Sequence, residues 1–449
     1  MREKFYKIEN LIDPTLPKDE EEFKRLLNSK EVRKALDLAQ ESYVPWQDFK
    51  YKTWVSDDLK EKTWGLIKAY RRINGESIPI KDENNNYYSF NPRSYVQFLH
   101  EIDLELGGNF MGIEDFSEAD KRGFIRRNLI EESIASSQLE GANTSRKAAK
   151  ELLNQGRKPK DKSEQMIVNN HETMCLIEQE LKNEELSIDT IFELHRRITH
   201  ETINKDHQGV LRETYDKNGK PLVIKPWDDE TIAYEAPSKG FVEKELLCLI
   251  DFANDKLEKR FIHPLIKAIM LHFWIGILHP FEDGNGRLAR IIFYWYMLRK
   301  GYWAFSYISL SEKIVKSAKQ YSLAYIYSEQ DGYDLNYFIS YNINKLKLAR
   351  KHLRDYIERK IVENRKAANL LRKGYNFNDR QFKLLQYLAK DEQRFTNLTS
   401  YHNINNDIGK VTATADLKKL VDDGFLEKLR RGRNIFYYPT DKIKEIFKK

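Results

Sequence analysis

The side chains best suited to chemistry in this 449-residue chain stand together: His279-Pro280-Phe281-Glu282-Asp283-Gly284-Asn285-Gly286-Arg287, followed by Arg290. Gly284 and Gly286 reach backbone angles closed to other residues, so successive N–H groups can converge on one concavity. A helix starting there adds orphan amides and the positive end of its dipole, and both favour an anion. Arg287 and Arg290, at i and i+3, share a helix face and can grip neighbouring phosphates. Asp283 is a hard oxygen ligand of the kind Mg²⁺ takes together with phosphate oxygens. His279 is a base able to work near neutral pH. Nest, carboxylate, arginines and histidine describe a site that moves a phosphorus-centred group.

Two helices must position this loop. Leu265 to Leu278, with Pro264 suited to the first turn, and Leu288 to Leu298 are apolar on almost every side. A helix apolar all round is a buried helix. A charged, glycine-rich loop between two buried helices has little packing reason to exist.

The run His-Pro-Phe-x-Asp-Gly-Asn-Gly-Arg-x-x-Arg resembles the full signature of Fic-domain proteins, with every motif position filled. The resemblance implies that His279 deprotonates a target hydroxyl and that Asp283 holds Mg²⁺ against the α- and β-phosphates of ATP. Gly284, Asn285 and Gly286 would cradle the phosphates, and Arg287 and Arg290 would bind the β/γ end. The implied reaction moves AMP from ATP to a protein Ser, Thr or Tyr and releases pyrophosphate. Gly286 stands where the phosphate-transferring toxin branch carries Lys, which favours AMP transfer.

Further segments extend the resemblance. A helix-like stretch runs from Ala119 to Gly141, and its end, Ser136-Ser137-Gln138-Leu139-Glu140-Gly141, resembles the inhibitory motif Ser/Thr-x-x-x-Glu-Gly/Asn of autoinhibited Fic proteins. Ser136 and Glu140 are i and i+4 on one face, and Gly141 can end the helix in the left-handed conformation. Arg290 is the partner this implies for Glu140. Gly209 to Arg212, the turn Asp216-Lys217-Asn218-Gly219 and the short strand Pro221 to Ile224 precede Tyr234-Glu235-Ala236-Pro237. They sit where Fic proteins have a β-hairpin flap, so the edge at Val223 and Ile224 would hold a target segment by β-augmentation. Tyr321 falls where relatives pack an aromatic against the adenosine, with Tyr325 and Tyr327 as competing candidates.

Composition bounds the rest. With 41% hydrophobic and 32% charged residues, the chain reads as a soluble globular protein, long enough for several domains. It has neither an apolar run of eighteen residues nor the apolar core of a signal peptide, so no membrane partner and a cytoplasmic location are expected. Cys175 and Cys248 are read as inert core thiols, away from a second Cys or a ligand-spaced His. The net charge of +7 belongs to the C-terminal end, where residues 371–449 carry 17 Lys/Arg against 10 Asp/Glu.

The expected fold is mainly α: a helical Fic core with a β-hairpin flap, plus a C-terminal winged helix-turn-helix. Residues 1–115 read as a helical cover with strand-like IPI and YYSF, 116–345 as the Fic domain with its inhibitory helix 119–141, and 346–375 as a connector or homodimer-contact helix. Residues 376–449 read as helix, helix, then a hairpin tipped by Arg430-Arg431-Gly432-Arg433-Asn434. Thr412, Thr414, Lys418 and Lys419 could approach DNA; the same helix carries Asp416, Asp422 and Asp423, and winged helices also dock proteins. Two alternatives to an autoinhibited AMP-transferase stay open. One is an enzyme that removes AMP with Glu140 positioning a water. The other is a DNA-binding regulator whose Fic domain senses ATP or modifies only itself.

Overall fold

In the computed structural model the described residues are 4–8, 17, 19–107, 118–225, 231–257, 259–371, 377–389, 394–405, 408–431 and 434–443. The chain opens with strand β1 (Lys4–Phe5) and four helices, α1 (Glu20–Asn28), α2 (Lys30–Ser42), α3 (Trp46–Phe49) and α4 (Lys60–Asn74). These helices close a core of their own around Trp64, Phe49 and Val32. They meet the rest of the molecule through buried polar contacts. Lys68 Nζ lies 2.7 Å from Asp331 Oδ1, and Arg71 Nη1 donates to the Tyr337 hydroxyl over 3.0 Å.

An antiparallel pair follows, β2 (Glu76–Lys81) and β3 (Tyr87–Phe90), and then α5 (Val96–Ile102). The strands fall on IPI and YYSF. Ile78, Ile80, Tyr88, Phe90 and Phe98 join the central core of the molecule. Apolar packing is therefore continuous across residue 115.

The central body is helical. Helices α6 (Glu118–Leu139), α7 (Arg146–Gln155), α8 (Lys162–Gln179) and α9 (Ile188–Thr199) lead to the short strands β4 (Val223–Ile224), β5 (Thr231–Ile232) and β6 (Tyr234–Glu235). Then come α10 (Lys239–Ala253), α11 (Pro264–Leu278) and α12 (Asn285–Arg299). Every residue from Leu265 to Ile275 and from Arg287 to Leu298 is buried. Each fully buried Leu or Ile contributes about 1.5–3 kcal/mol, so the two helices that flank the loop are strongly anchored. Around them pack α6, α8, α9 and α10.

Between Leu310 and Gln330 the helical path is broken. α13 (Ser311–Ile314) and α14 (Ala318–Gln330) are joined by a 3-10 turn at Val315–Ser317. Ser317 leaves the helical region with φ −148, and its hydroxyl meets the Tyr341 hydroxyl at 2.9 Å. α15 (Asn336–Leu371) then runs without interruption through residue 345, since no Gly or Pro is present there to stop it.

The C-terminal residues form α16 (Asp379–Leu388), β7 (Thr396–Asn397), α17 (Leu398–Ile404), α18 (Lys410–Asp422), β8 (Leu426–Arg431) and β9 (Asn434–Pro439). The sheet has the order β7-β9-β8 and is antiparallel. Phe382, Leu385, Tyr401, Leu417 and Leu420 make its core. β7 and α17 are too short to have been read from periodicity. Asp416 does not add to the surface charge of α18: it is buried, accepting from Arg380 Nε over 2.8 Å and Asn378 Nδ2 over 2.6 Å. Arg433 at the hairpin tip lies outside the described residues. The architecture is mainly α, as expected, and no helix among the described residues is long and apolar enough to cross a membrane.

Candidate active site

α11 ends because His279 adopts the left-handed conformation, φ 46 and ψ 57, while its N–H still reaches Ile275 O at 3.0 Å. That conformation is costly for a residue with a Cβ unless the surroundings hold it. Arg212 provides the hold. Its Nε donates to His279 O over 2.5 Å, and its Nη2 donates to Leu278 O over 3.2 Å and to Pro237 O over 2.8 Å. Burial first, and then the Arg212 charge, bring the His279 pKa down to about 4. The imidazole is therefore neutral, and so basic, at neutral pH.

The loop itself is closed by Asn285, whose Nδ2 donates to Phe281 O over 2.8 Å and whose Oδ1 accepts from the Phe281 N–H over 2.9 Å. Its side chain shapes the loop, which leaves the backbone for an anion. Gly284 caps α12 with φ 86, and a Cβ there would fall 3.0 Å from Thr199 Cγ2. His195, on α9, supports the turn from below. The Gly209 N–H donates to His195 Nδ1 over 2.8 Å, so Nε2 carries the hydrogen and donates to Asp283 O, also over 2.8 Å. Its ring stacks on Phe281 at 3.8 Å, and burial above all lowers its pKa to about 4.

The two arginines do not share an open face. Arg287 is wholly buried: Nη1 donates to Ile198 O over 2.7 Å, and Nη2 reaches Asp283 Oδ1 at 3.3 Å. Long side chains near a helix start lean back toward the N-terminus, and there the Ile198 carbonyl and Asp283 receive it. Arg290 faces α6 instead. Its Nε donates to Ser136 Oγ over 2.8 Å, and its Nη2 donates to Ser136 O and to Glu140 Oε1, each over 2.9 Å. Gly141 has φ 89 just beyond the helix end. A Cβ at 286 would lie 2.2 Å from Glu140 Oε1, so a larger residue there would have to displace the Glu140 carboxylate. Glu140 thus lies over the first turn of α12, the place the loop makes attractive to an anion.

A cleft of about 230 Å³ joins His279, Gly286, Arg290 and Glu140 with Ile224 and Tyr321. Val223 pairs with Glu235 and Ile224 with Tyr234. The Tyr234 hydroxyl donates to Gly276 O over 2.7 Å, which pins the hairpin to α11. Tyr321 lines the cleft with its hydroxyl 2.7 Å from His272 Nε2 and 3.3 Å from the Tyr325 hydroxyl. Tyr325 lines the cleft too, whereas Tyr327 donates to Gln47 Oε1 over 2.7 Å, away from it.

Asp283 suits a divalent cation. Its Oδ1 accepts from the Gly284 N–H over 2.5 Å and meets Arg287, while Oδ2 has no hydrogen bond among the described residues. Glu282, the other carboxylate of the loop, pairs with His207. No group of three or more His, Cys, Asp or Glu side chains placed to hold a metal occurs among the described residues. A cation at Asp283 would take its other ligands from phosphate and water, which is how Mg²⁺ binds.

Sequence reasoning missed His195, Tyr234 and the role of Arg212. His195 sits on the apolar face of α9, where a lone histidine reads as core; Arg212 looked like one more flap residue. Cys175 also has a histidine neighbour, its Sγ lying 3.8 Å from His171 Nε2. Burial pushes that thiol up to about 11, so it stays protonated.

The Fic/DOC family profile matches residues 185–297. The protein adenylyltransferase fic-1 of Caenorhabditis elegans is 31% identical over 123 residues, which is 27% of this chain and 21% of that relative. The protein adenylyltransferase Fic of Nematostella vectensis is 27% identical over 121 residues, 27% of this chain and 25% of that relative. The match thus spans about a fifth to a quarter of the curated relatives' length. Among solved structures, a Fic family protein from Desulfovibrio desulfuricans G20 is similar at 16% identity and TM-score 0.47, covering 78% of this chain and 95% of that one. The matched span runs from just before α9 through the loop to the end of α12, and it contains His195, Arg212, the hairpin and every position of the motif. Over residues 185–297, then, this chain carries a domain of the Fic/DOC family.

Proposed function

We propose that this chain is a protein AMP-transferase held idle by Glu140. The observation that carries the reading is the grip of Ser136 and Glu140 on Arg290, beside a neutral His279 and an anion nest. The curated relatives over this span bear the name adenylyltransferase. A target hydroxyl oxygen attacks the α-phosphorus of ATP and passes its proton to His279, one ring nitrogen of which lies against the Gly276 carbonyl. The bond to the bridging oxygen breaks, and pyrophosphate leaves. The amides that open α12 and the Arg290 guanidinium receive phosphate oxygens. Arg287 acts indirectly, by fixing Asp283. Mg²⁺ bound at Asp283 would neutralise charge on the phosphates. Val223 and Ile224 offer a strand edge along which a target segment lies, so that its hydroxyl reaches His279. Tyr321 walls the adenosine side of the cleft.

The inhibition is competitive for one guanidinium. While Glu140 accepts from Arg290, the γ-phosphate of ATP lacks its donor and the nucleotide seats unproductively. A charge-assisted hydrogen bond contributes about 1.5–3 kcal/mol, enough to keep most molecules idle.

The C-terminal helices and sheet serve as a winged helix for DNA. Exposed Thr412, Thr414, Lys418 and Lys419 lie on α18, and the basic excess of the chain is concentrated in this segment.

Incubating the purified chain, and its Glu140→Gly variant, with α-labelled ATP tests the reading. Label on protein supports it. Loss of label from a pre-modified protein would replace transfer with removal. Neither outcome would leave the chain a DNA-binding regulator.

A further inference from the structure

A second groove shares Ala233 and Tyr234 with the nucleotide cleft but opens past the other edge of the hairpin strand. On one edge the Ala233 N–H donates to Ile224 O of β4; on the other, Ile232 O accepts from the Tyr6 N–H, each over 2.8 Å. The groove runs between that second edge and the C-terminal end of α14, and the chain's own residues 4–8 lie along it. β1 is parallel to β5, with Lys4 opposite Thr231 and Phe5 opposite Ile232. Gln330 closes the other side: its Nε2 donates to Tyr6 O over 2.8 Å, and its Oε1 accepts from the Ile8 N–H over 3.0 Å. Every one of these hydrogen bonds goes to main chain, so they suit any extended segment.

The side chains are less well matched. Along the strand Tyr6 and Ile8 are half-buried, while Phe5 and Lys7 are exposed, the alternation expected of an extended chain. Glu329 lines the same groove, and its carboxylate makes no hydrogen bond or ion pair with any described residue. Asp82 lies near enough to act on it, and so do Tyr88, Tyr234 and Tyr333. Burial first, and then Asp82, raise the Glu329 pKa to about 7. Carboxylates walled by aromatic rings form a setting for a cation. The resident strand turns Tyr6 and Ile8 inward, while its Lys7 is exposed where it lines the groove and makes no ion pair with Glu329.

We propose that this groove docks an extended segment of a partner protein carrying Lys or Arg at the place of Tyr6 or Ile8, and that residues 4–8 are a resident which such a segment displaces. The incoming main chain takes over the bonds to Ile232 and Gln330, and its cation pairs with Glu329. The site is distinct from the β4 edge and stands whether or not the cleft transfers AMP.

The test uses two fluorescein-labelled peptides, one with the sequence of residues 2–10 and one identical except for Ile8→Arg. Anisotropy titrations are run against the full chain, the full chain with Tyr6→Pro, and Tyr6→Pro combined with Glu329→Gln. Proline removes the N–H that holds the resident to Ile232, and unchanged thermal denaturation certifies the fold. The arginine peptide is expected to bind the Tyr6→Pro chain about tenfold more tightly than the unsubstituted peptide, and to bind the wild-type chain more weakly. Glu329→Gln should erase that advantage and spare the unsubstituted peptide. Equal affinity of the two peptides, or no binding of either, would overturn the proposal. The groove would then be no more than a clasp for residues 4–8.

Discussion

Arg290 and Glu140, 150 positions apart in the chain, meet at 2.9 Å between Nη2 and Oε1. The guanidinium is almost wholly buried and stays charged: burial alone would lower its pKa, but the Glu140 carboxylate beside it holds it above the ordinary value. One acidic side chain thereby occupies both the arginine and the space over Gly286.

Glu140→Gly should raise AMP transfer, self-modification included, by roughly tenfold to a hundredfold, the equivalent of one charge-assisted bond. Adding Arg290→Ala should return activity to a low level, because the released guanidinium is what the γ-phosphate needs. An inactive Glu140→Gly protein that folds and binds ATP would mark Glu140 as catalytic and favour AMP removal.

His279→Ala should lower the transfer rate by about 10²–10⁴, the usual contribution of a general base, and leave ATP affinity nearly unchanged. Near-wild-type turnover in single-turnover assays would sink the assignment.

The depressed pKa of His279 sets the pH profile. A base must be unprotonated, so kcat/KM in the Glu140→Gly background should hold from pH 8 down to pH 5 and fail only toward pH 4. An acid limb near pH 6.5 would show that burial does not govern the imidazole. Stability follows the same sign. His171, His195 and His279 each have a folded pKa of about 4 against 6.5 for the free side chain. Below pH 6.5 the unfolded chain binds more protons, so stability should fall progressively from pH 6.5 to about 4. Urea midpoints at pH 7, 5.5 and 4.5 measure it.

Arg212→Ala should lower kcat by roughly ten- to a hundredfold with little change in the KM for ATP, since it loosens the His279 turn and touches no phosphate. Arg212→Lys should rescue poorly, because an ammonium cannot reproduce the fork that spans His279 O, Leu278 O and Pro237 O. Full activity of the lysine variant would argue against a positioning role.

Replacing Arg430, Arg431 and Arg433 with Ala should weaken duplex binding and reduce its salt dependence, by about 0.9 in slope for each phosphate no longer neutralised. AMP transfer in vitro should be unaffected. No salt-sensitive binding of the intact chain to any duplex would make the C-terminal segment a protein-docking module.

The sequence by itself determined what backbone periodicity determines. His279 to Arg290 is contiguous, so its glycines, its carboxylate and the helix that starts within it come together wherever that stretch folds. Ser136 and Glu140 likewise share a face because they are four apart, and they do meet one guanidinium. Apolar residues on every side marked α11 and α12 as buried before any contact was known. Tertiary structure decided the rest, because burial and distant donors depend on which surfaces meet. Arg287 looked like a second phosphate ligand by spacing, and only the Ile198 carbonyl beneath the loop turns it inward. His279 depends on an arginine 67 positions away for its backbone conformation and on burial for its neutrality. Nothing local to Lys4 and Phe5 announces a strand; they form one because the chain brings them alongside residues 231–232, and hydrogen-bonding groups along an edge are satisfied by whatever chain can reach them.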